Sequence, residues 1–161
     1  MRIYAEDIQL VTAPAEEDVF SQVSDEFDLL KNLSELHTYG EGMPQQITFR
    51  IEKDGQLAGA VALQQIRWYN RKALISIMLK REYQGQKIAR KALHALLHHA
   101  FKVMNFHRLE AEIFGYNKAG IALVEKLGFI REGILREARY FDGQYHDIIR
   151  FGLLKDEFDQ E

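Results

Sequence analysis

The alternation of apolar and polar positions divides the chain into short elements. "IQLVTA" (8–13) reads as a first strand. Pro14 suits the first position of a helix, and Val19, Phe20 and Val23 give that helix an apolar face. "FDLLKNLSEL" (27–36) predicts a second short helix, and "HTYGEGMPQQ" (37–46) a loop punctuated by Gly40, Gly42 and Pro44. Two β-rich runs around Asp54-Gly55 predict a hairpin over 47–66, and "YNRK" a second turn before the strand "ALISIML" (73–79). Ala89, Ala92, Leu93, Leu96, Leu97, Ala100 and Phe101 then recur at helical spacing. They predict a long helix that opens from the polar turn around Gly85 and runs to about Asn105. "RLEAEIF" (108–114) is the next strand, and "NKAGIALVEKLGF" (117–129) a helix with Asn117 as N-cap and Gly128 at the C-cap. Residues 131–154 close the chain as a hairpin turning on Asp142-Gly143.

The order β, α, α, β, β, β, α, β, α, β, β predicts an α/β fold, a mixed, mostly antiparallel sheet with helices on both faces. The strand-helix-strand crossover should set strands 73–79 and 108–114 side by side and parallel. The helix start at Gln86–Lys87 then lies at the carboxyl end of the first of these strands, where open α/β sheets bind ligands. A helix start exposes unpaired N–H groups and the positive end of the helix dipole, a seat for an anion.

Composition narrows the function classes. The 161 residues suffice for one domain, 1–161, with a real core; 47% are hydrophobic and 28% charged. A net charge of −3 argues against nucleic-acid binding, which favours clustered Lys and Arg. With no cysteine, a disulfide framework, a thiolate nucleophile and Cys-ligated zinc are excluded. "MRIYAEDIQL" carries acidic residues and no apolar run of signal-peptide length, and no segment reaches the roughly 20 apolar residues of a membrane span. The expectation is a cytoplasmic protein that engages neither membrane nor nucleic acid.

Two segments carry a family resemblance. Gln84-Gly85-Gln86-Lys87-Ile88-Ala89 resembles the pyrophosphate loop, Gln/Arg-x-x-Gly-x-Gly/Ala, of the GNAT superfamily of acetyl-CoA-dependent N-acetyltransferases, matching its first and last positions. "NKAGIALVEKLGF" resembles the segment in which an Asn contacts pantetheine and "EKLGF" ends a helix. The tail "EGILREARYFDGQYHDIIRFGLL" is similar to the branch holding ribosomal-protein N-terminal and spermidine acetyltransferases. The resemblance covers roughly residues 47–154.

It implies acetyl-CoA as cosubstrate and a primary amine as acceptor: a polyamine, another small amine or a protein N-terminus. It implies that N–H groups of Gln84, Gly85, Gln86, Lys87, Ile88 and Ala89 cradle the pyrophosphate. Main-chain groups of Ile77, Met78 and Leu79 would bond the pantetheine arm as an added strand does, and Asn117 would contact the same arm. Two departures stand out. Lys87 occupies the middle loop glycine, where lysine is strained if positive φ is required. Val124 replaces the tyrosine that donates a proton to the leaving thiolate in many members, and Gly120 lacks the hydroxyl of the serine found there in the ribosomal branch. These departures keep a rival open, a non-catalytic acyl-CoA-binding regulatory module.

The catalytic base is not identified by the motifs. Glu110 and Glu112 both lie on strand 108–114, and Glu110 is the candidate, acting directly or through water, against a structural role. His94 and His98 share a helix face and His99 follows, but Ala95 stands where a metalloprotease helix has Glu, so no metal site is expected. Tyr140, Tyr145, His146 and Asp147 cluster at the last hairpin, either as sheet packing or as lining of an acceptor pocket. A homodimer is admitted as the assembly.

Overall fold

The computed structural model describes residues 2–5, 8–11, 14 and 42–158. The chain divides into two compact units, Met1–His37 and Thr38–Glu161. In the first, β1 (Arg2–Ala5) pairs antiparallel with β2 (Ile8–Val11), from Arg2↔Val11 to Ala5↔Ile8. The expected strand at 8–13 is thus present over Ile8–Val11, and β1 is an additional strand. The helices expected between Pro14 and residue 36 lie outside the described residues.

The second unit holds a six-stranded sheet of order β3-β4-β5-β6-β8-β7. Its strands are β3 (Ile47–Lys53), β4 (Gln56–Arg67), β5 (Lys72–Leu79), β6 (Arg108–Phe114), β7 (Ile130–Phe141) and β8 (Gln144–Leu154). The hairpin turns work as their sequences require. Asp54 and Gly55 have φ of 52° and 74°, and Asp142 and Gly143 have 51° and 80°. Both are two-residue turns with paired positive φ, whose twist matches that of the flanking strands. Every pairing is antiparallel except β5 with β6. The fold is therefore the expected mixed, mostly antiparallel α/β arrangement.

Three helices follow the sheet's needs. α1 (Ile88–His98) buries Leu93, Leu96 and Leu97, then continues as a π-helical turn, His99–Val103, that buries Ala100 and Phe101. α2 (Lys118–Glu125) buries Val124, and the chain leaves it through Gly128 at φ 85°. A short α3 (Lys155–Phe158), not expected from the sequence, buries Phe158 against the same core. One cluster joins these residues to Leu63, Ile75, Leu109, Ala111 and Phe151 of the sheet. Alternation along β5, β6 and β8 sends Ala73 and Ile75, Leu109 and Ala111, and Ile149, Phe151 and Leu153 to that core.

Candidate active site

The crossover that joins β5 to β6 creates the site. Their parallel ladder has three residue pairs, Lys72↔Arg108, Ala73↔Leu109 and Leu74↔Glu110, and then stops. Both strands continue, β5 to Leu79 and β6 to Phe114. The sheet therefore splits, and a cleft of about 200 Å³ opens between them, walled by Ser76, Ile77, Glu112, Phe114, Asn117 and Val124 among others. On its other side β5 stays paired with β4, from Gln64↔Leu74 to Gly59↔Leu79. So Ile77, Met78 and Leu79 have their β4-facing groups satisfied and no β6 partner on the cleft side. Such an open strand edge can accept a peptide-like chain.

At the end of this edge the chain turns into α1. The Gln84 N–H donates to the Arg81 carbonyl at 3.2 Å, so it is spent inside the loop. The Gln84 side-chain amide donates to the Leu79 carbonyl at 3.2 Å and that of Gln86 to the Glu82 carbonyl at 2.8 Å. These bonds brace the turn from within. The N–H groups of Gly85, Gln86, Lys87, Ile88 and Ala89 have no acceptor among the described residues. Gly85 (φ 75°) and Lys87 (φ 61°, ψ 10°) both adopt the left-handed conformation. A left-handed residue beside a right-handed one, as at Lys87 and the helical Ile88, turns successive N–H groups inward and makes an anion-binding concavity.

The charges agree. The first turn of α1 contains no acidic residue, and Lys87 as N-cap offers no side-chain cap bond. Arg81, Lys87, Arg90 and Lys91 surround the helix start. Cations at a helix N-terminus oppose the macrodipole and carry a cost of roughly 0.3–1 kcal/mol each. An anion at the concavity reverses that sign. The Lys87 position thus does require positive φ, and the lysine there is strained as the sequence suggested.

Asn117 walls the cleft from the α2 side. Its Oδ1 accepts the Gly120 N–H at 3.0 Å, so it caps α2, and its Nδ2 has no acceptor among the described residues. Gly120 makes room for it: a Cβ there would lie 2.7 Å from Asn117 Nδ2 and 3.2 Å from Ile113 Cγ2. Val124 is buried in the core and reaches the same cleft.

The two glutamates of β6 separate. Glu110 sits at the last rung of the ladder, where its side chain is 14% exposed. Arg108 Nε donates to its Oε1 at 2.8 Å, Arg150 Nη2 to its Oε2 at 3.3 Å, and Lys72 Nζ is 4.0 Å away. Both oxygens are held by cations, and Glu110 is not among the residues lining the cleft. Glu112, two residues on, is past the end of the ladder and does line it, with one ion pair to Arg150 Nε at 3.5 Å. Arg108 completes the network with two bonds to Glu132, one of 2.7 Å between Nη1 and Oε1 and one between Nη2 and Oε2. Arg108 holds the Glu132 carboxyl below its usual range, against the opposing effect of burial; Glu132 in turn raises the Arg108 pKa further.

Two of the three helix histidines, His94 and His99, are used in packing, and His98 is exposed. The rings of His94 and Phe158 lie 5.7 Å apart, and those of His99 and Phe49 lie 6.0 Å apart. Among the described residues no cluster of three metal-ligating side chains occurs, and no helix is long and apolar enough to cross a membrane.

A split parallel pair that feeds a helix-start anion seat defines the class: a fold whose cleft suits an anionic ligand with an extended, peptide-like arm. Comparison with known proteins gives the family. The acetyltransferase (GNAT) domain description matches residues 4–149, and the chain belongs to this family, whose cosubstrate is acetyl-CoA. The chain is 30% identical to the spermidine N(1)-acetyltransferase of Escherichia coli K12 over 139 residues, 86% of this chain and 73% of that protein. It is 30% identical to that organism's ribosomal-protein-serine acetyltransferase over 108 residues, 67% of this chain and 60% of that protein. The crystal structure of Vibrio cholerae spermidine N-acetyltransferase in complex with CoA and spermine is similar, with 28% identity and a TM-score of 0.68. It covers 71% of this chain and 68% of that one. The Vibrio protein also forms a dodecamer in another solved structure with a TM-score of 0.69.

Proposed function

We propose that this protein transfers the acetyl group of acetyl-CoA to a primary amine of a polycationic acceptor, of the polyamine class. The observation that carries the reading is the early end of the β5–β6 ladder at Leu74, from which β5 runs on alone toward five N–H groups, Gly85 to Ala89, that have no acceptor among the described residues. The pyrophosphate sits on the N–H groups from Gly85 to Ala89, with Gln84 bracing the loop. The pantetheine arm runs along Ile77, Met78 and Leu79 and meets Asn117 Nδ2. The amine nitrogen attacks the thioester carbonyl carbon, the C–S bond breaks, and CoA leaves as thiolate. A cleft-side N–H of Ile77 to Leu79 steadies the oxygen charge that develops. Glu112, rather than Glu110, takes the amine's proton through a water. The acceptor class is supported by the spermidine-acetylating relatives and by charge: residues 16–41 contain eight Asp or Glu and a single Lys. Such a segment attracts polycations.

The test is release of free CoA thiol with spermidine, spermine, 1,4-diaminobutane and peptides with free N-termini. Turnover confined to the polyamines is expected. Turnover on peptides alone would make this an N-terminal acetyltransferase, as in the ribosomal-protein relative. Acetyl-CoA binding with no turnover on any amine would leave the acyl-CoA-binding module. A cytoplasmic location and self-association belong to the same reading. Cell fractionation checks the first and light scattering the second.

A further inference from the structure

At the end of β6 the chain reverses through Gly115, whose N–H donates to the Asp147 carbonyl at 3.0 Å. The reversal lays the Tyr116 ring over Phe114, stacked at 4.9 Å and 18° between planes. His146, on β8, stands edge-on to both, 5.9 Å and 88° from Phe114 and 5.0 Å and 76° from Tyr116. The three rings form an L-shaped corner. His146 Nε2 lies 3.1 Å from the Phe141 carbonyl oxygen. That oxygen can only accept, so Nε2 carries the hydrogen and Nδ1 of the neutral ring keeps its lone pair.

Packing alone would account for a buried corner. This one is open: Tyr116 is 52% exposed, and Phe141, Tyr140 and Tyr145 beside it are more so. A contiguous group of aromatic rings left in water at one end of a sheet is a candidate interaction surface. Its position is specific. Phe114 also walls the acetyl-transfer cleft, while Tyr116 and His146 line the adjoining depression of about 620 Å³. The charged groups lining that depression are Lys118, Arg131, Glu137 and Asp147, two of each sign. Asp147 Oδ1 is spent on the Glu137 N–H at 2.8 Å. The lining therefore has no net charge, and the ring faces are its distinctive chemistry. Ring faces are electron-rich and attract organic cations.

We propose that the corner of Phe114, Tyr116 and His146 is the subsite for an ammonium group of the acceptor, held over the rings with His146 Nδ1 as hydrogen-bond acceptor. This rests on the acetyl-transfer reading above for the identity of the cation, and the corner itself can be tested without it. Tetramethylammonium cannot be acetylated, and its titration is followed by NMR on the ring protons of Tyr116 and His146. Saturable shifts are expected in the wild type and in Tyr116→Phe, which keeps the ring face, and none in Tyr116→Leu. In turnover with spermidine, Tyr116→Leu and His146→Gln should each raise the acceptor KM about three- to fivefold, the scale of an exposed cation–π contact or a single hydrogen bond, and leave the acetyl-CoA KM within twofold. Absence of saturable shifts in the wild type, or an acceptor KM within twofold of wild type in both variants, would overturn the subsite. Absence of turnover on any amine would instead overturn the transfer reading, and the titration alone would then decide the corner.

Discussion

Lys87 separates two physical effects that usually come together. Its backbone is left-handed, at φ 61° and ψ 10°, and its side chain has no hydrogen bond or ion pair among the described residues. For a residue with a Cβ this conformation costs roughly 1–2 kcal/mol. Glycine escapes that cost but loses about 0.4–1 kcal/mol through the greater freedom of its unfolded chain. Lys87→Gly should therefore stabilise the fold by about 0.5–1 kcal/mol, which for a chain of this size raises Tm by roughly 1–4 °C. Lys87→Ala keeps the Cβ and the strain; it shares with the glycine variant only the gain of removing a cation from the helix start, so Lys87→Gly should melt above Lys87→Ala. The ammonium is a separate matter. An exposed pair with phosphate is worth up to about 1 kcal/mol, so both variants should bind CoA about two- to fivefold more weakly at low salt. The difference should shrink as salt rises and screens the pair. The assay is thermal unfolding of the three proteins, with calorimetric titration of CoA at low and high salt. Equal Tm for the Gly and Ala variants would refute the strain argument. Unchanged CoA affinity and salt dependence in both would refute the pairing with phosphate.

Other perturbations probe the remaining parts of the site. Glu112→Gln should lower kcat/KM with spermidine by roughly 10²–10⁴-fold with CoA affinity intact, the range of a general base. Glu110→Gln should keep kcat/KM within a few-fold and instead lower the unfolding midpoint in urea, because it leaves Arg108 and Arg150 short of a carboxylate. Gly120→Ala gains about 1 kcal/mol of helix propensity but forces the Asn117 amide aside, losing a cap of similar size. Little change in Tm with CoA bound at least fivefold more weakly is expected, and unchanged affinity would remove Asn117 from the cosubstrate site. Glu132 has a lowered pKa in the fold, so its stabilisation is present above the carboxyl's unfolded value and is lost as pH falls through the folded one. At neutral pH Glu132→Gln should cost at most about 1 kcal/mol, since the half-exposed pair is screened by solvent. The gap to wild type in urea unfolding should close at pH values below the ordinary carboxyl range.

The sequence made the elements legible where local chemistry decides them. Asp54-Gly55 and Asp142-Gly143 fix two-residue turns, so both hairpins were readable to within a residue or two. The apolar spacing from Ala89 to Phe101 fixed the helix, although its last turn is π-helical. β1 is not legible because four residues before Glu6-Asp7 are too few for a periodicity. Register was not legible at all. Two extra residues opposite β8 between Leu135 and Arg139 bulge β7, and only the pairing reveals it. The same limit explains the glutamates. Positions 110 and 112 have the same strand parity and the same residue type. What distinguishes them is where the parallel ladder ends, a tertiary fact. The aromatic corner likewise joins Phe114 and Tyr116 to His146, some thirty residues on, through the β6–β8 pairing.

The departures at 87, 120 and 124 share one physical reading. Each changes a side chain that the family pattern implies and leaves the main-chain geometry in place. Lys87 still turns its N–H into the concavity because the backbone there is left-handed. Gly120 gives up a hydroxyl and thereby lets Asn117 close over the helix start. Val124 is 4% exposed within the core, and the bulk of a tyrosine at that point would have to be absorbed by repacking. The missing hydroxyl is affordable chemically. A thiol ionises near pH 8.5, so the thiolate leaves without full protonation. A general acid would contribute about 10²–10⁴-fold, or roughly 3–5 kcal/mol, against about 7–11 kcal/mol available from holding the amine against the thioester. In the proposed reading, positioning depends on the split strand edge, the N–H run and the cap at Asn117, all of them backbone features or anchored to backbone. A site whose larger contribution comes from such features can lose a proton donor and remain an acetyltransferase.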